Sequence, residues 1–303
     1  MMKVPQALKP SRKVWAGRAF VLWGIIFSGS FLLFSPVTSG APLYKNFQHM
    51  EYDVYSGGFH VVEAGLEIDY TREGRYRMVF GARTRGLLDK LVPWKGSFES
   101  EGWRFSNPEK IRPQRHKSVA VFRGEKDIKE YKYGKDGSFQ EYRLEDDDAQ
   151  NDGSPKEVDP VLTKNTTDVL AATLTVLDRL PKGGKCEGAD EIFDGKRRYR
   201  LMFKEIRRVT LEATRYNVYA GPAVECTAEI EPMGGAWHKK PRGWLSIQEQ
   251  GRKKGTMPTV WIANMEEKGP AVPVKVRVKT EYGTLFMHMT AYQNGNKSLK
   301  LER

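Results

Sequence analysis

Tyr52–Phe80 reads YDVYSGGFHVVEAGLEIDYTREGRYRMVF, and this stretch decides the fold class. Between Phe59 and Tyr70 apolar side chains fall at Val62, Ala64, Leu66, Ile68 and Tyr70, with Val61 beside the first. A period of two belongs to a strand that buries one face and wets the other. Ser56-Gly57-Gly58 precedes the run and Thr71-Arg72-Glu73-Gly74 follows it; both are turn sequences. Tyr52, Val54 and Tyr55 supply the strand before, and Tyr76–Phe80 the strand after. Short apolar runs separated by Gly-bearing turns predict a β-meander, and antiparallel sheets of that kind commonly keep one face in the core.

The same pattern extends along the chain. Gly86–Trp94 (GLLDKLVPW) places Leu87, Leu88 and Leu91 for one helical turn that stops before Pro93. Gly96–Phe105 and Lys117–Arg123 are strand-like, and Asp127–Leu144 predicts a hairpin around Gly134–Gly137. Residues 145–158 (EDDDAQNDGSPKEV) read as a solvated acidic loop. Its aspartates suggest a Ca²⁺ site as the alternative, but the spacing lacks the EF-hand pattern.

Asp168–Leu180 is the strongest helix. Thr166, Thr167 or Asp168 can cap it, and Val169, Leu170, Leu174, Leu177 and Leu180 make an apolar stripe. Pro181 and Gly183-Gly184 end it. One good helix among many strands is expected to fill the concave side of a curved sheet. Strands then return at Ala189–Asp194, Tyr199–Phe203, Val209–Val218, Ala223–Glu231, Met257–Asn264 and Val272–Thr280. After a turn at Lys279–Gly283, Thr284–Tyr292 is expected to close the sheet. The fold class is therefore mainly β: a curved antiparallel sheet with one main helix packed on it. The expected organisation is a segment at 1–41 followed by a single β-rich domain at 42–303.

The first 41 residues differ from everything after them. They hold Lys3, Lys9, Arg12, Lys13 and Arg18 and no acid, then the apolar run Ala19–Phe34, then the small residues Ser35–Ala41. A basic start, an apolar middle and a small-residue end describe a secretory signal. The run of 16 residues is short for a span that needs about 20. An uncleaved inner-membrane anchor at 19–34 is the alternative, and in both readings the body of the protein lies in the periplasm.

The chain carries +12, with 50 basic and 38 acidic side chains. Beyond residue 41 there are 45 basic and 38 acidic groups, a balance of +7. That suits attraction to anionic surfaces, but the acids are interspersed and no nucleic-acid footprint results. Cys186 and Cys226 are the only two cysteines. An oxidising compartment makes a disulfide the natural reading; free thiols and a metal or redox site stay open, although no histidine lies near either cysteine in sequence.

Chemistry is scarce. His49, His60, His116, His238 and His288 show no metal-ligand spacing, so no metal and no cofactor are expected. No G-x-S-x-G, P-loop or dinucleotide fingerprint occurs, and no catalytic residue is nominated. Two basic segments are candidate surface contacts. Lys196, Arg197 and Arg198 follow the Asp194-Gly195 turn, where they either meet a lipid phosphate or anionic polymer or simply solvate a hairpin edge. Trp237, Lys239, Lys240 and Trp244 form an aromatic–basic loop that suits a membrane surface or a partner, or an ordinary surface loop with half-buried rings.

NTTDVLAATLTVLDRL at 165–180, CEGADEIFDGKRRYRLMF at 186–203, GPAVECTAEIEPMGG at 221–235, and the closing segments MPTVWIAN and VPVKVRVKTEYGTLFMHMTAY together resemble domain-of-unknown-function family 3108, exported proteins of Gram-negative bacteria. The resemblance spans roughly Tyr44–Tyr292. One departure is visible: the family's acidic-Pro helix start, Asp159-Pro160, lies several residues ahead of the main helix. The resemblance implies a curved, partly closed antiparallel barrel or spiral, similar to periplasmic lipoprotein carriers, and no activity. The expected function is a non-catalytic periplasmic protein of the cell envelope. It supports envelope integrity or binds an apolar ligand, lipid or lipoprotein, within the curved sheet. The alternatives are a scaffold or peptidoglycan-associated module that meets an envelope protein, and an envelope hydrolase.

Overall fold

Alternation becomes pairing at the start of the chain. β1 (Phe47–Ser56) turns through Gly57 and Gly58, both left-handed, into β2 (Phe59–Asp69), and β3 (Arg75–Thr84) pairs back on β2. Met50, Tyr52, Leu66, Ile68, Tyr76 and Met78 point inward and are almost fully buried. In this computed structural model the described residues are 46–106, 109–240, 244–280, 283–295 and 297–302. The export signal or anchor expected at 1–41 lies outside them, as does the centre of the turn expected at Lys279–Gly283.

α1 (Gly86–Leu91) is the helical turn expected before Pro93. The meander continues through β4 (Trp94–Ser106), β5 (Glu109–Phe122), β6 (Glu125–Tyr133) and β7 (Phe139–Glu145). The acidic stretch is not all loop. β8 (Asp152–Pro155) pairs with β7, Glu145 against Asp152 and Arg143 against Pro155. The aspartates make this possible: Asp146 accepts from the Asn151 amide and the Asp148 backbone, and Asp152 from the Ser154 backbone. These bonds fold the run back on itself, a geometry that polarity alone does not reveal.

Asp159-Pro160 does start a helix, the four-residue α2 (Pro160–Thr163). The main helix α3 (Val169–Arg179) follows, capped by Asp168, whose carboxylate accepts from the Leu170 and Ala171 backbone N–H groups at 2.9 Å each. A 3₁₀ turn and left-handed Gly183 end it. Then come β9 (Gly188–Phe193), β10 (Arg197–Leu211), β11 (Gly221–Gly235), α4 (Trp244–Lys254), β12 (Thr259–Ala263), β13 (Val272–Thr280), β14 (Gly283–Asn294) and β15 (Lys297–Lys300).

These make one antiparallel sheet of 15 strands, ordered β8-β7-β6-β5-β4-β3-β2-β1-β14-β13-β12-β11-β10-β9, with β15 beside β14. Two meanders thus meet at the β1–β14 pair, and the chain passes from the outer edge of one to the outer edge of the other through α2 and α3. Three sequence expectations need correction. The last long strand, expected to close the sheet, lies at its centre between β1 and β13. Tyr199–Phe203 and Val209–Val218 are not separate strands: β10 runs on to Leu211 and 212–220 is loop. The charged run Lys204–Arg208 looks like a turn but is a solvated bulge, with Arg207 paired to Glu225 at 2.8 Å and Arg208 to Glu205 at 3.2 Å. Finally, α4 was not expected at all.

Bulges curl the sheet. Pro113, Pro232 and Pro273 each stand at a register shift, against Gly102, Tyr199 and Ile262 respectively. A bulge tolerates the missing N–H and bends the strand. At Gly102 a β-carbon would run into the Arg112 carbonyl and Pro113, so only glycine fits that crossing. Because of the curl, α3 packs against β3, β4 and β5 on one side and β9 and β10 on the other. The ends of the sheet approach without joining. Tyr131, Phe139 and Tyr142 of β6 and β7 contact the Phe193 ring at 5.5–6.0 Å between centroids. The outer edge of β9 is met by the lead-in to α3, where the Thr167 N–H donates to the Glu191 carbonyl at 2.8 Å. The barrel is therefore sealed by side chains and a single bridge, not closed by a strand ladder.

Cys186 and Cys226 form a disulfide, both fully buried, with Cα atoms 6.2 Å apart. It ties the loop after α3 to β11 and encloses the β9–β10 hairpin.

On β14, burial and the neighbouring Lys275 hold His288 down at about 4, against an opposing pull from Asp53. The unfolded chain, with histidine at its ordinary 6.5, takes up this proton first, so stability is lost as pH falls from 6.5 towards 4. The side chain is only half-buried, so the effect is on the order of 1 kcal/mol. Urea unfolding at pH 7 and pH 4.5 is expected to show His288→Gln losing less stability on acidification than the parent; equal losses would remove His288 from the account.

Candidate functional site

Inside the curl, α3 stands off the β10–β13 part of the sheet and leaves a groove of about 500 Å³. One wall is α3, through Val169, Thr173, Val176 and Leu177; the floor includes Leu201, Phe203, Ile230, Val260 and Ile262. Thr173 does not spoil the apolar wall, since its hydroxyl donates back to the Val169 carbonyl at 2.8 Å. Trp237 and Trp244 form the lip. The Trp237 indole N–H is held by the Gly234 carbonyl at 2.7 Å, whereas the Trp244 indole N–H is buried without a partner.

The unexpected α4 explains the position of Trp244. β12 pairs with β11 only at 224–227, so Ile230 presents a bare backbone edge. Gln248, buried in α4, answers it as a strand would: its amide oxygen accepts from the Ile230 N–H at 2.7 Å and its NH₂ donates to the Ile230 carbonyl at 3.0 Å. Gly251 is the other buried residue of α4 and lets it approach Thr256 and Met257.

At one end the groove changes character. A second cavity of about 350 Å³ shares Val169, Arg197 and Tyr199 with the first, and adds Lys129, Lys196, His116 and His238. Arg197 lies over the Trp237 ring at 4.8 Å and pairs with Asp194 at 2.6 Å. Lys129 pairs with Asp127 at 3.2 Å. Among the described residues no carboxylate lies within ion-pair distance of Lys196, which is exposed at the Asp194-Gly195 turn. There Gly195 is left-handed, and a β-carbon would press on the Tyr142 hydroxyl.

Beneath this cavity runs a buried polar chain. The Ser100 hydroxyl donates to Asp168 at 2.7 Å and, its proton being engaged, accepts from the Tyr76 hydroxyl at 2.8 Å. Burial, reinforced by the Asp168 carboxylate, pushes the Tyr76 phenol up and keeps it a donor. His116 Nδ1 lies 3.4 Å from the other Asp168 oxygen without a hydrogen bond, and the ring stacks on Tyr131. Serine, histidine and aspartate thus meet, but the carboxylate sits between the other two, and Ser100 is completely buried. Nucleophilic relays place histidine between serine and carboxylate; this chain instead anchors the start of α3.

The candidate contacts divide accordingly. Lys196 and Arg197 line the basic end, and Arg197, Trp237 and Trp244 line the groove. Arg198 faces away: it pairs with Glu191 and donates to the Val161 carbonyl. Lys239 and Lys240 are exposed and line neither cavity. No group of three or more potential metal ligands occurs among the described residues, nor any helix long and apolar enough to cross a membrane. Sequence reading missed Ser100, His116 and Gln248 as site-builders. Only Asp168 gave a signal, as one of three possible caps.

An uncapped, curled antiparallel sheet around a helix with an internal groove defines a barrel-like β protein. Within that class, residues 51–290 match the family described as "Protein of unknown function (DUF3108)", and the chain belongs to it. No curated protein matches the sequence. Among solved structures, a beta-barrel-like protein of domain of unknown function DUF1849 from Brucella abortus is similar at a TM-score of 0.48 and 8% identity, over 84% of this chain and 99% of that one.

Proposed function

We propose that this is a non-catalytic periplasmic protein of the cell envelope that holds the acyl part of an amphiphile in the groove between α3 and β10–β13. The observation that carries this reading is the groove: about 500 Å³ with mainly apolar walls, within the size range of small-molecule sites, and continuous with a cationic end that suits an amphiphile. The basic, apolar and small-residue order of residues 1–41 and the buried disulfide both support work outside the cytoplasm.

Titration of the purified protein with a fluorescent long-chain fatty-acid analogue tests it. One saturable site is expected. Ala228→Trp and Thr173→Phe, which fill the groove from opposite walls, are each expected to weaken uptake by at least about tenfold while leaving a cooperative thermal transition. Absence of saturable uptake, or full uptake by both filled variants, would overturn the proposal.

A further inference from the structure

We infer that the basic cavity is a headgroup site, and that the ligand is a phosphate-bearing lipid with its acyl chain in the groove and its phosphate beside Lys196 and Arg197. This rests on the groove reading above and adds the chemical class of the ligand. Continuity comes first: Val169, Arg197 and Tyr199 line both cavities, so one molecule can enter both. Charge comes second. The two carboxylates that line the cavity are already engaged. Asp168 is bound to Ser100 and the α3 backbone, and Asp194 to Arg197 and the Lys196 and Arg197 backbone N–H groups. Asp146 lies close enough to feel Lys196, but forms no ion pair with it. Lys196 and Arg197 both line the cavity, and an ammonium beside a guanidinium is the pair of groups that recognises phosphate best.

Size comes third. The cavity of about 350 Å³, with a lining part polar and part apolar, exceeds what a carboxylate needs and suits a glycerophosphate. His116 lines the same wall, with its buried Nδ1 3.4 Å from the Asp168 carboxylate.

The experiment compares three probes by calorimetry on the full protein: a monoacyl glycerophosphate, the uncharged monoacylglycerol of the same chain, and inorganic phosphate. The glycerophosphate is expected to bind at least about tenfold more tightly than its neutral counterpart, with a preference that shrinks as salt is raised. Lys196→Glu, at an exposed turn position, is expected to erase that preference. Equal binding of the two lipids, or a preference that survives Lys196→Glu, would overturn the headgroup site while leaving the groove standing. If neither lipid binds, the groove reading fails as well. Inorganic phosphate that displaces the glycerophosphate at equal concentration would mark a free-anion site and overturn the lipid assignment.

Discussion

Replacing both Cys186 and Cys226 by serine is expected to lower the unfolding free energy by about 4 kcal/mol, and the melting temperature by roughly 10 °C. The figure follows from chain entropy. The two residues are 40 apart, and the denatured chain regains the freedom of that loop when the link is cut. The structure gives reason to expect the whole effect. The closed loop contains β9 and all of β10, and β9 is an edge strand whose outer side has a single backbone bridge to Thr167. Without the link, no covalent bond ties the loop between α3 and β9 to β11. Cys186 also donates its backbone N–H to Glu205, the residue paired with Cys226 across β10 and β11, at 3.0 Å; loosening the loop loosens this contact too. Urea unfolding of the parent and the double serine variant measures the difference. Both thiols in the parent are expected to resist alkylation until the protein is denatured and reduced. A loss below about 1 kcal/mol would mean that the denatured loop is already constrained and that chain entropy is not the source of the stabilisation.

How far the sequence disclosed this architecture depended on whether a residue's role was local. β2 was legible because Leu66 and Ile68 face the core while Glu67 and Asp69 face out, a pattern set by the strand itself. α3 was legible because its stripe and its Asp168 cap lie within a few residues. α4 was not: its buried residues are Gln248, which serves a bare strand edge 18 residues away, and Gly251, which lies against Thr256 and Met257, so it has no apolar stripe to announce it. Strand order was equally hidden. Nothing in Thr284–Tyr292 reveals that its partner is β1, more than two hundred residues earlier. The basic end of the groove was half legible. Lys196, Arg197 and Trp237 stand out by composition, but the side of the sheet they face depends on the bulge at Tyr199 and Pro232.

An open sheet also accounts for the groove. A closed ladder of strands would fix the distance from β5 to β10 by hydrogen bonds. Here the distance is set by rings meeting at Phe193 and by α3 wedged between the two meanders. The helix packs most closely on β5 and leaves room over β10–β13, where the groove lies.

At its N-terminus that wedge is anchored by Asp168, and removing this anchor is the second large effect. Asp168→Ala is expected to cost about 3–4 kcal/mol in urea unfolding. The lost cap contributes about 1–2 kcal/mol. The buried Ser100 hydroxyl, left without its acceptor, adds about 1–3 kcal/mol, partly offset because a buried carboxylate no longer has to be desolvated. Asp168→Asn separates geometry from charge. Its amide oxygen can still accept from Leu170 and Ala171, and its NH₂ can donate to Ser100, which then turns its proton towards Tyr76. About 1 kcal/mol of loss is expected, the share of the charge in these bonds. Ser100→Ala in the Asp168→Ala background should cost less than in the parent, since the two groups form one chain. Because Val169 lines both the groove and the basic cavity, Asp168→Ala is also expected to weaken lipid uptake, and Asp168→Asn to restore most of it. Equal losses in the two variants would mean that charge, not acceptor geometry, holds the helix, and the capping account would be wrong.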